Sequence, residues 1–349
     1  MTTTRSNNRG LLLPLASFVI IVAGMRAAQS LLVPFLLASF IAILCAGPMH
    51  WLQKRKVPTG LAIIIVILTV VGSSLTILIL VGSSATDFST AIPEYEKSLR
   101  AQTLSLVSWL QGIGLSVSPT LITDYFDPAK ALQLAGSMLA RTSGVLANAF
   151  MILLTVVFIL LEAAGLPDKL RAGLNNADAS LKSFERFNTG VQQYLAIKTL
   201  VSFATGVLVT IWLAVLGVDY PLLWGLVAFL LNYIPNIGSI IAAVPAVLLA
   251  VVQLGPGSSL MVAGGYLAVN LLMGSAIEPK LMGRKLGLST LVVFLSLVFW
   301  GWALGPVGML LSVPLTMIVK IALEIKPETR WLALLLGSET PPQLPVKNS

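Results

Sequence analysis

Charge is what this sequence has least of. Asp, Glu, Lys and Arg make up 10% of its 349 residues, and 56% are hydrophobic, with a mean hydropathy of +0.92. A soluble domain carries about 25% charged residues, so this composition excludes an ordinary soluble fold and describes a polytopic membrane protein. Cysteine is nearly absent. The single Cys45 lies inside an apolar run, which excludes a disulfide framework within one chain. The single histidine, His50, sits beside Trp51 at the end of a span and reads as an interfacial anchor. No cluster of His, Cys, Asp and Glu has metal-site spacing, so neither a metal nor a cofactor is expected. A Walker A loop, G-x-S-x-G and H-E-x-x-H are all missing, which argues against an ATP-driven pump, a membrane hydrolase or any enzyme. The net charge of +8 does not point to nucleic acid. The basic residues fall in short loops between apolar runs, where they set membrane orientation.

The apolar runs come in order. Leu11–Gly24 and Leu31–Ala46 read as two spans, with Arg26 and Gln29 in the connector and Gly47-Pro48 ending the second. Lys54, Arg55 and Lys56 then mark the cytoplasmic side, which places the N terminus inside after two crossings. A third span covers about Gly60–Gly82. Asp87–Arg141 is polar, with five acids and four bases, and has apolar residues such as Leu99, Leu104, Leu106, Val107 and Leu110 at helical spacing. It reads as an external insertion of amphipathic helices at the membrane surface. A fourth span over about Val145–Leu161 leads to a basic connector containing Lys169, Arg171, Lys182 and Arg186, and a fifth span covers Thr199–Leu216.

The last third has two apolar stretches of awkward length. Leu222–Val252 and Leu288–Val319 are each longer than the about 20 residues one helix needs, and shorter than two full spans. Each breaks near its middle, at Pro235-Asn236-Ile237-Gly238 and at Gly305-Pro306-Val307-Gly308. Proline removes a helical donor and glycine permits a tight reversal, so each stretch reads as a re-entrant hairpin of two short helices. Charge counting agrees. With straight spans, Lys280, Arg284 and Lys285 would face outward; with two hairpins, they and the tail bases Lys320, Lys326 and Arg330 all lie inside. Each hairpin follows one span, the spans run in opposite directions, and the breaks align as P-N-I-G-S-I-I-A-A-V-P and G-P-V-G-M-L-L-S-V-P. That is an inverted repeat, an architecture used by many secondary transporters. The expected fold is all-α, with about six full spans plus two hairpins, eight apolar segments in all. The chain divides into 1–85 (three spans), 86–145 (external insertion), 146–198 (fourth span and cytoplasmic connector), 199–322 (repeat region) and 323–349 (cytoplasmic tail).

Non-helical backbone at membrane depth is tolerated only where it is buried or lines a wet cavity. Hairpin tips meeting near the midplane would supply such backbone, and the amides of Asn232, Asn236 and Asn270 can donate and accept toward a polyhydroxylated solute. Pro235, Gly238, Gly305, Pro306 and Gly308 complete the candidate binding set. Glu278, next to Pro279, can relay protons or pair with Lys280, Arg284 or Lys285 as a gating ion pair. Arg26, Glu162 and Lys198 read as snorkelling anchors near span ends, and Gly264, Gly265 and Gly274 as hinge residues. Small residues on apolar faces make a homo-oligomer plausible.

Three runs carry a resemblance. N-Y-I-P-N-I-G at Asn232–Gly238, E-P-K-L-M-G-R-K-L-G-L-S at Glu278–Ser289 and F-W-G-W-A-L-G-P-V-G-M-L-L-S-V-P-L-T at Phe299–Thr316 resemble the autoinducer-2 exporter family of bacterial inner-membrane proteins. The resemblance is dense over Tyr220–Glu324. It implies a secondary transporter, tied in some members to export of the quorum-sensing signal autoinducer-2 and in others to sodium/proton exchange. It also implies site or hinge roles at the motif positions, which add Gly283 and Pro314 to the residues above. The expectation is an exporter of a small polar signal in the inner membrane, both termini cytoplasmic, working by movement of a hairpin-bearing domain. The rivals are a monovalent cation/proton antiporter and a non-transporting partner protein that uses Asp87–Arg141. The antiporter reading expects a carboxylate at midplane depth, and none occurs between Asp219 and Glu278.

Overall fold

The computed structural model describes residues 9–112, 149–163, 177–235, 237–282, 288–325 and 328–337. No strand occurs among the described residues. The helices are α1 (Arg9–Ala27), α2 (Gln29–Lys54), α3 (Thr59–Gly112), α4 (Ala149–Ala163), α5 (Ala177–Leu216), α6 (Pro221–Leu231), α7 (Gly238–Leu254) and α8 (Pro256–Asn270). A π-helical turn, Leu271–Ile277, continues α8 into α9 (Glu278–Met282). Then come α10 (Thr290–Leu310), α11 (Ser312–Ile325) and α12 (Arg330–Leu335). Among the described residues, five helical stretches are long and apolar enough to cross a membrane: Gln29–Lys54, Thr59–Tyr95, Asn188–Leu216, Pro256–Met282 and Thr290–Leu310.

The chain forms two compact units, one of Met1–Gly47, Met151–Val191 and Leu286–Ser349, the other of Pro48–Phe150 and Gln192–Lys285. In the second unit, α5 carries the hairpin α6–α7 and the returning helix α8. α6 has 11 residues and α7 has 17, about 16 and 25 Å of helix. α6 starts with Pro221 behind a left-handed Tyr220 (φ 57) and packs on α7. It runs back along α5 with almost no separation. The Cα of Gly206 faces the backbone of Gly225, and a β-carbon at Gly206 would lie 2.7 Å from Gly225 O. Small residues allow such helix contacts in a membrane, where dispersion packing replaces the hydrophobic drive. Gly265 on α8 plays the same part against Trp212, whose indole N–H donates to Met261 O at 3.2 Å. Gly265 is therefore a contact glycine. Its neighbour Gly264 faces open space.

The outer insertion expected from Asp87 begins as a helical extension of the third span. α3 has 54 residues, about 81 Å of helix, with no break between the apolar Thr59–Gly82 part and the polar part. Phe88, fully buried, lies edge-on to Trp224 and Tyr220, and the Tyr95 hydroxyl donates to Asp219 at 2.9 Å. Gln253 closes the cluster: its amide donates to the Asp219 carboxylate and its carbonyl oxygen accepts from the Asp219 N–H at 3.0 Å. Burial raises the Tyr220 phenol above its ordinary value. A hydrogen bond with Tyr95 opposes that rise, and the Asp219 and Asp87 carboxylates add to it. The far end of the insertion, 113–148, lies outside the described residues.

In the first unit, the connector expected between the first two spans is one residue, Ala28. Its N–H donates to Gly24 O and its carbonyl accepts from Leu32, both in helical pattern. α2 also passes through Gly47-Pro48 without ending and stops at Lys54, before Lys56 turns left-handed (φ 66). α10 and α11 form a reversal. Gly305 is non-helical (φ 71, ψ −155), and Gly301 touches the Met309 side chain. The Trp300 indole donates to Thr316 Oγ1 at 3.0 Å, whereas a straight helix would hold those two residues about 24 Å apart. The base of this hairpin is tied by Ser289 N–H to Leu336 O at 3.1 Å.

Candidate functional site

The site is clearest in the second unit, along one face of α5. Tyr194, Lys198, Ser202 and Thr205 recur at one-turn spacing along the half of α5 where apolar residues dominate, and all four are buried. Thr205 satisfies itself on Val201 O at 2.9 Å. The others face partners from the hairpin turn and from α9. Asn232, the C-cap of α6, donates to Ser202 Oγ at 3.0 Å. The Tyr233 hydroxyl donates to Thr199 Oγ1 at 2.7 Å, and Thr199 passes a hydrogen bond on to Leu195 O at 2.7 Å. One turn below, Lys198 Nζ meets Glu278 Oε1 at 2.6 Å, with side-chain exposures of 4% and 17%. Tyr194 lies close enough to feel the Glu278 charge. A hydroxyl, an amide, a phenol and an ion pair thus form one continuous polar seam inside apolar helices. Such groups are rare inside a span and mark pathways when they occur.

The hairpin turn sits far along α5. Its Asn232 and Tyr233 contact Ser202 and Thr199, about 21 to 26 Å of helix from Leu216. Two glycines hold the two reversals in the same manner. A β-carbon at Gly238 would overlap Leu231 O and lie 3.3 Å from Ile234 Cβ; one at Gly308 would overlap Trp300 O and lie 2.8 Å from Leu304 Cβ. In each case the residue four before the glycine and the carbonyl about two turns before it form the seat.

The expected site residues separate into groups. Asn232 joins the seam. Pro235 is half-buried in the turn, and Asn236 lies outside the described residues, as do Gly283, Arg284 and Lys285. Asn270 ends α8 and leads into the π turn, its side-chain oxygen beside Gly274. Glu278 meets Lys198, 80 residues earlier, so Lys198 is a buried counter-charge where a snorkelling anchor was expected; Arg284 and Lys285, two of the expected partners, lie outside the described residues. Pro279 and Lys280 are exposed. Gly305, Pro306 and Gly308 belong to the other unit. There, a β-carbon at Gly305 would lie 3.0 Å from the Gln29 amide nitrogen, and Arg26 stacks over Trp302 at 4.8 Å. Tyr194, Thr199, Ser202 and Tyr233 were not anticipated, although Tyr194 and Ser202 share a face with Lys198 at a spacing visible in the sequence. Among the described residues no group of three His, Cys, Asp or Glu side chains can hold a metal ion.

An all-helical chain with several membrane-length helices and a buried polar seam beside a helical reversal has the form of a membrane transport protein. The AI-2E family transporter model matches residues 15–328, and the chain belongs to that family. It is 42% identical over 331 residues to the AI-2 transport protein TqsA of Escherichia coli (strain K12), covering 95% of this chain and 96% of TqsA. A Haemophilus influenzae protein is 44% identical over 335 residues, covering 93% of this chain and 95% of that one. YhhT of Escherichia coli is 38% identical over 343 residues, covering 98% of both.

Proposed function

We propose that this chain is a secondary transporter that exports a small polar signal, autoinducer-2 or a close relative of it, across the bacterial inner membrane in quorum sensing. The observation that carries this reading is the polar seam Lys198, Thr199, Ser202, Asn232, Tyr233 and Glu278 at the first reversal. Its hydroxyl and amide groups can exchange their mutual hydrogen bonds for those of a hydroxylated solute, and Asn236 and Asn270 extend the same chemistry. In this reading α6–α7 and α10–α11 are re-entrant hairpins entering from opposite faces, and their glycine seats at Gly238 and Gly308 are the points about which the tips turn. The spans bearing them form an inverted repeat. In the same reading Lys54–Lys56, Lys280 and both termini face the cytoplasm, and the protein assembles as a homo-oligomer. The test is autoinducer-2 efflux from proteoliposomes. The wild type is expected to empty loaded vesicles, with Asn232→Ala and Ser202→Leu slower by at least tenfold. Efflux equal to that of protein-free liposomes would end the proposal.

A second reading, monovalent cation/proton antiport, is favoured by the partly buried Glu278 carboxylate. It expects sodium to dissipate a pre-formed pH gradient in the same vesicles without any organic solute.

A further inference from the structure

We infer that the proton is the coupling ion of this transporter and that Glu278 carries it, with Lys198 tying proton binding to helix movement. This rests on the transport reading above and goes on to its energy source. Three observations support it. First, the ion pair is shielded, with Lys198 buried and Glu278 partly buried. Glu278 and Lys198 meet at 2.6 Å with little exposure, and no other carboxylate occurs between residues 187 and 216 of α5, or between Tyr220 and Lys285. A buried ion pair is a poor stabiliser compared with apolar packing of the same volume, so a purely structural tie has little reason to take this form. Second, Glu278 follows directly on the π turn. Its own N–H donates to Met273 O, five residues back, in a hydrogen-bond pattern that departs from the α-helix and recurs at functional sites. Third, the seam places Ser202 and Asn232 one turn from Lys198, so a shift of α5 against α9 reaches the groups proposed to hold the solute.

The titratable and charged groups facing Glu278 among the described residues are Lys198 and Tyr194 of α5, with Tyr233 of the hairpin turn beyond Tyr194 and exposed Lys280 two residues on. With one carboxylate in the set, one proton moves per cycle. The proton binds a Glu278 carboxylate oxygen, and the Lys198 ammonium loses its acceptor. An ammonium left buried without a counter-charge is strongly unfavourable, so the protonated protein shifts to an arrangement in which Lys198 reaches water. Loss of the proton to the other side restores the pair. A proton drives the change because it binds the two arrangements unequally.

The experiment uses purified full-length protein in liposomes, with the membrane potential clamped to zero and autoinducer-2 as the probe. A pH difference of one unit is expected to sustain an autoinducer-2 gradient approaching about tenfold in the wild type, the limit for one proton per solute. Glu278→Asp, which keeps a titratable carboxylate, is expected to hold a gradient, and Glu278→Gln to hold none, a ratio of one. The double variant Lys198→Met/Glu278→Gln is expected to behave the same way. The proposal is overturned if Glu278→Gln builds the wild-type gradient, or if folded Glu278→Asp loses the gradient as completely as Glu278→Gln, which marks the pair as structural. It is also overturned if the wild type passes autoinducer-2 downhill but ignores the pH difference. A wild type that passes none at all refutes the transport reading instead. Should Glu278→Gln fail to fold, proton counting decides. Autoinducer-2 added to wild-type liposomes in weak buffer must move about one proton per solute, and a flat pH trace overturns the proposal.

Discussion

Alanine at Gly238 is the sharpest test of how the first reversal is held. The added β-carbon would overlap Leu231 O and lie 2.7 Å from Leu231 C. Carbon atoms rest about 3.5 to 4.0 Å apart, so the turn must open by about 1 Å. Overpacking costs about 1–3 kcal/mol when side chains can yield, and here the nearest obstacle is backbone, which puts the cost at the top of that range. Alanine recovers about 1 kcal/mol of helix propensity over glycine, leaving a net loss of about 2 kcal/mol. Gly264 supplies the control. It lies in the interior of α8, where a β-carbon meets nothing within 4 Å, so Gly264→Ala should stabilise by about 0.5–1 kcal/mol. The two variants, identical in chemistry, are expected to differ by about 3 kcal/mol in reversible unfolding in mixed micelles. Autoinducer-2 efflux should fall in Gly238→Ala and hold in Gly264→Ala. Gly308→Leu should remain inserted in the membrane and transport nothing. Equal stability and equal efflux for Gly238→Ala and Gly264→Ala would show that the seat on Leu231 does not constrain the turn.

Three further outcomes follow from the same geometry. Lys198→Met alone or Glu278→Gln alone should destabilise by about 3–5 kcal/mol, with the double variant closer to wild type; additive losses in the cycle would mean that the two residues are not coupled. Gly265→Ala should displace the Trp212 indole from Met261 O and lower the unfolding midpoint, and a Trp212→Ala background should erase that loss, because the half-exposed ring is what blocks the β-carbon. With Cys45 replaced, single cysteines at Asn236 and Gln29 should label from outside, and those at Lys280 and Val307 from inside; external labelling of Lys280 would remove the opposed-hairpin topology.

Much of this architecture was legible because breakers are local. Pro235, Gly238, Gly305 and Pro306 announce breaks through the conformations they permit and the donors they lack, and the helices are interrupted there, between Leu231 and Gly238 and at Gly305. The glycine seats were half legible: a glycine was evidently required, but not that a carbonyl two turns back filled the space. The ion pair was not legible at all. Pairing Glu278 with nearby Lys280 or Lys285 is the natural reading of a short charged loop, and only the antiparallel run of α8 along α5 brings Lys198 alongside. Tyr194 and Ser202 had a signal, a polar residue every turn in an apolar helix, which a reading based on charge alone passes over. The length of α3 was missed because a change in composition at Asp87 was read as a change in structure, yet the helical hydrogen bonds continue through it to Gly112.

The π turn bears on how this protein tolerates length changes. A π-helical segment covers its height with one residue more than an α-helix needs. Leu271–Ile277 therefore contains slack of one position, and Gly274 lies within it. Removing that residue would let the ladder close as ordinary α-helix without disturbing what lies above Asn270, but Glu278 would meet α5 at a different angle. The shortened protein should thus be sound in fold and impaired in the one contact that the extra residue aims. Seen this way, the segment is a removable spacer, and its loss separates the scaffold from the setting of a single carboxylate.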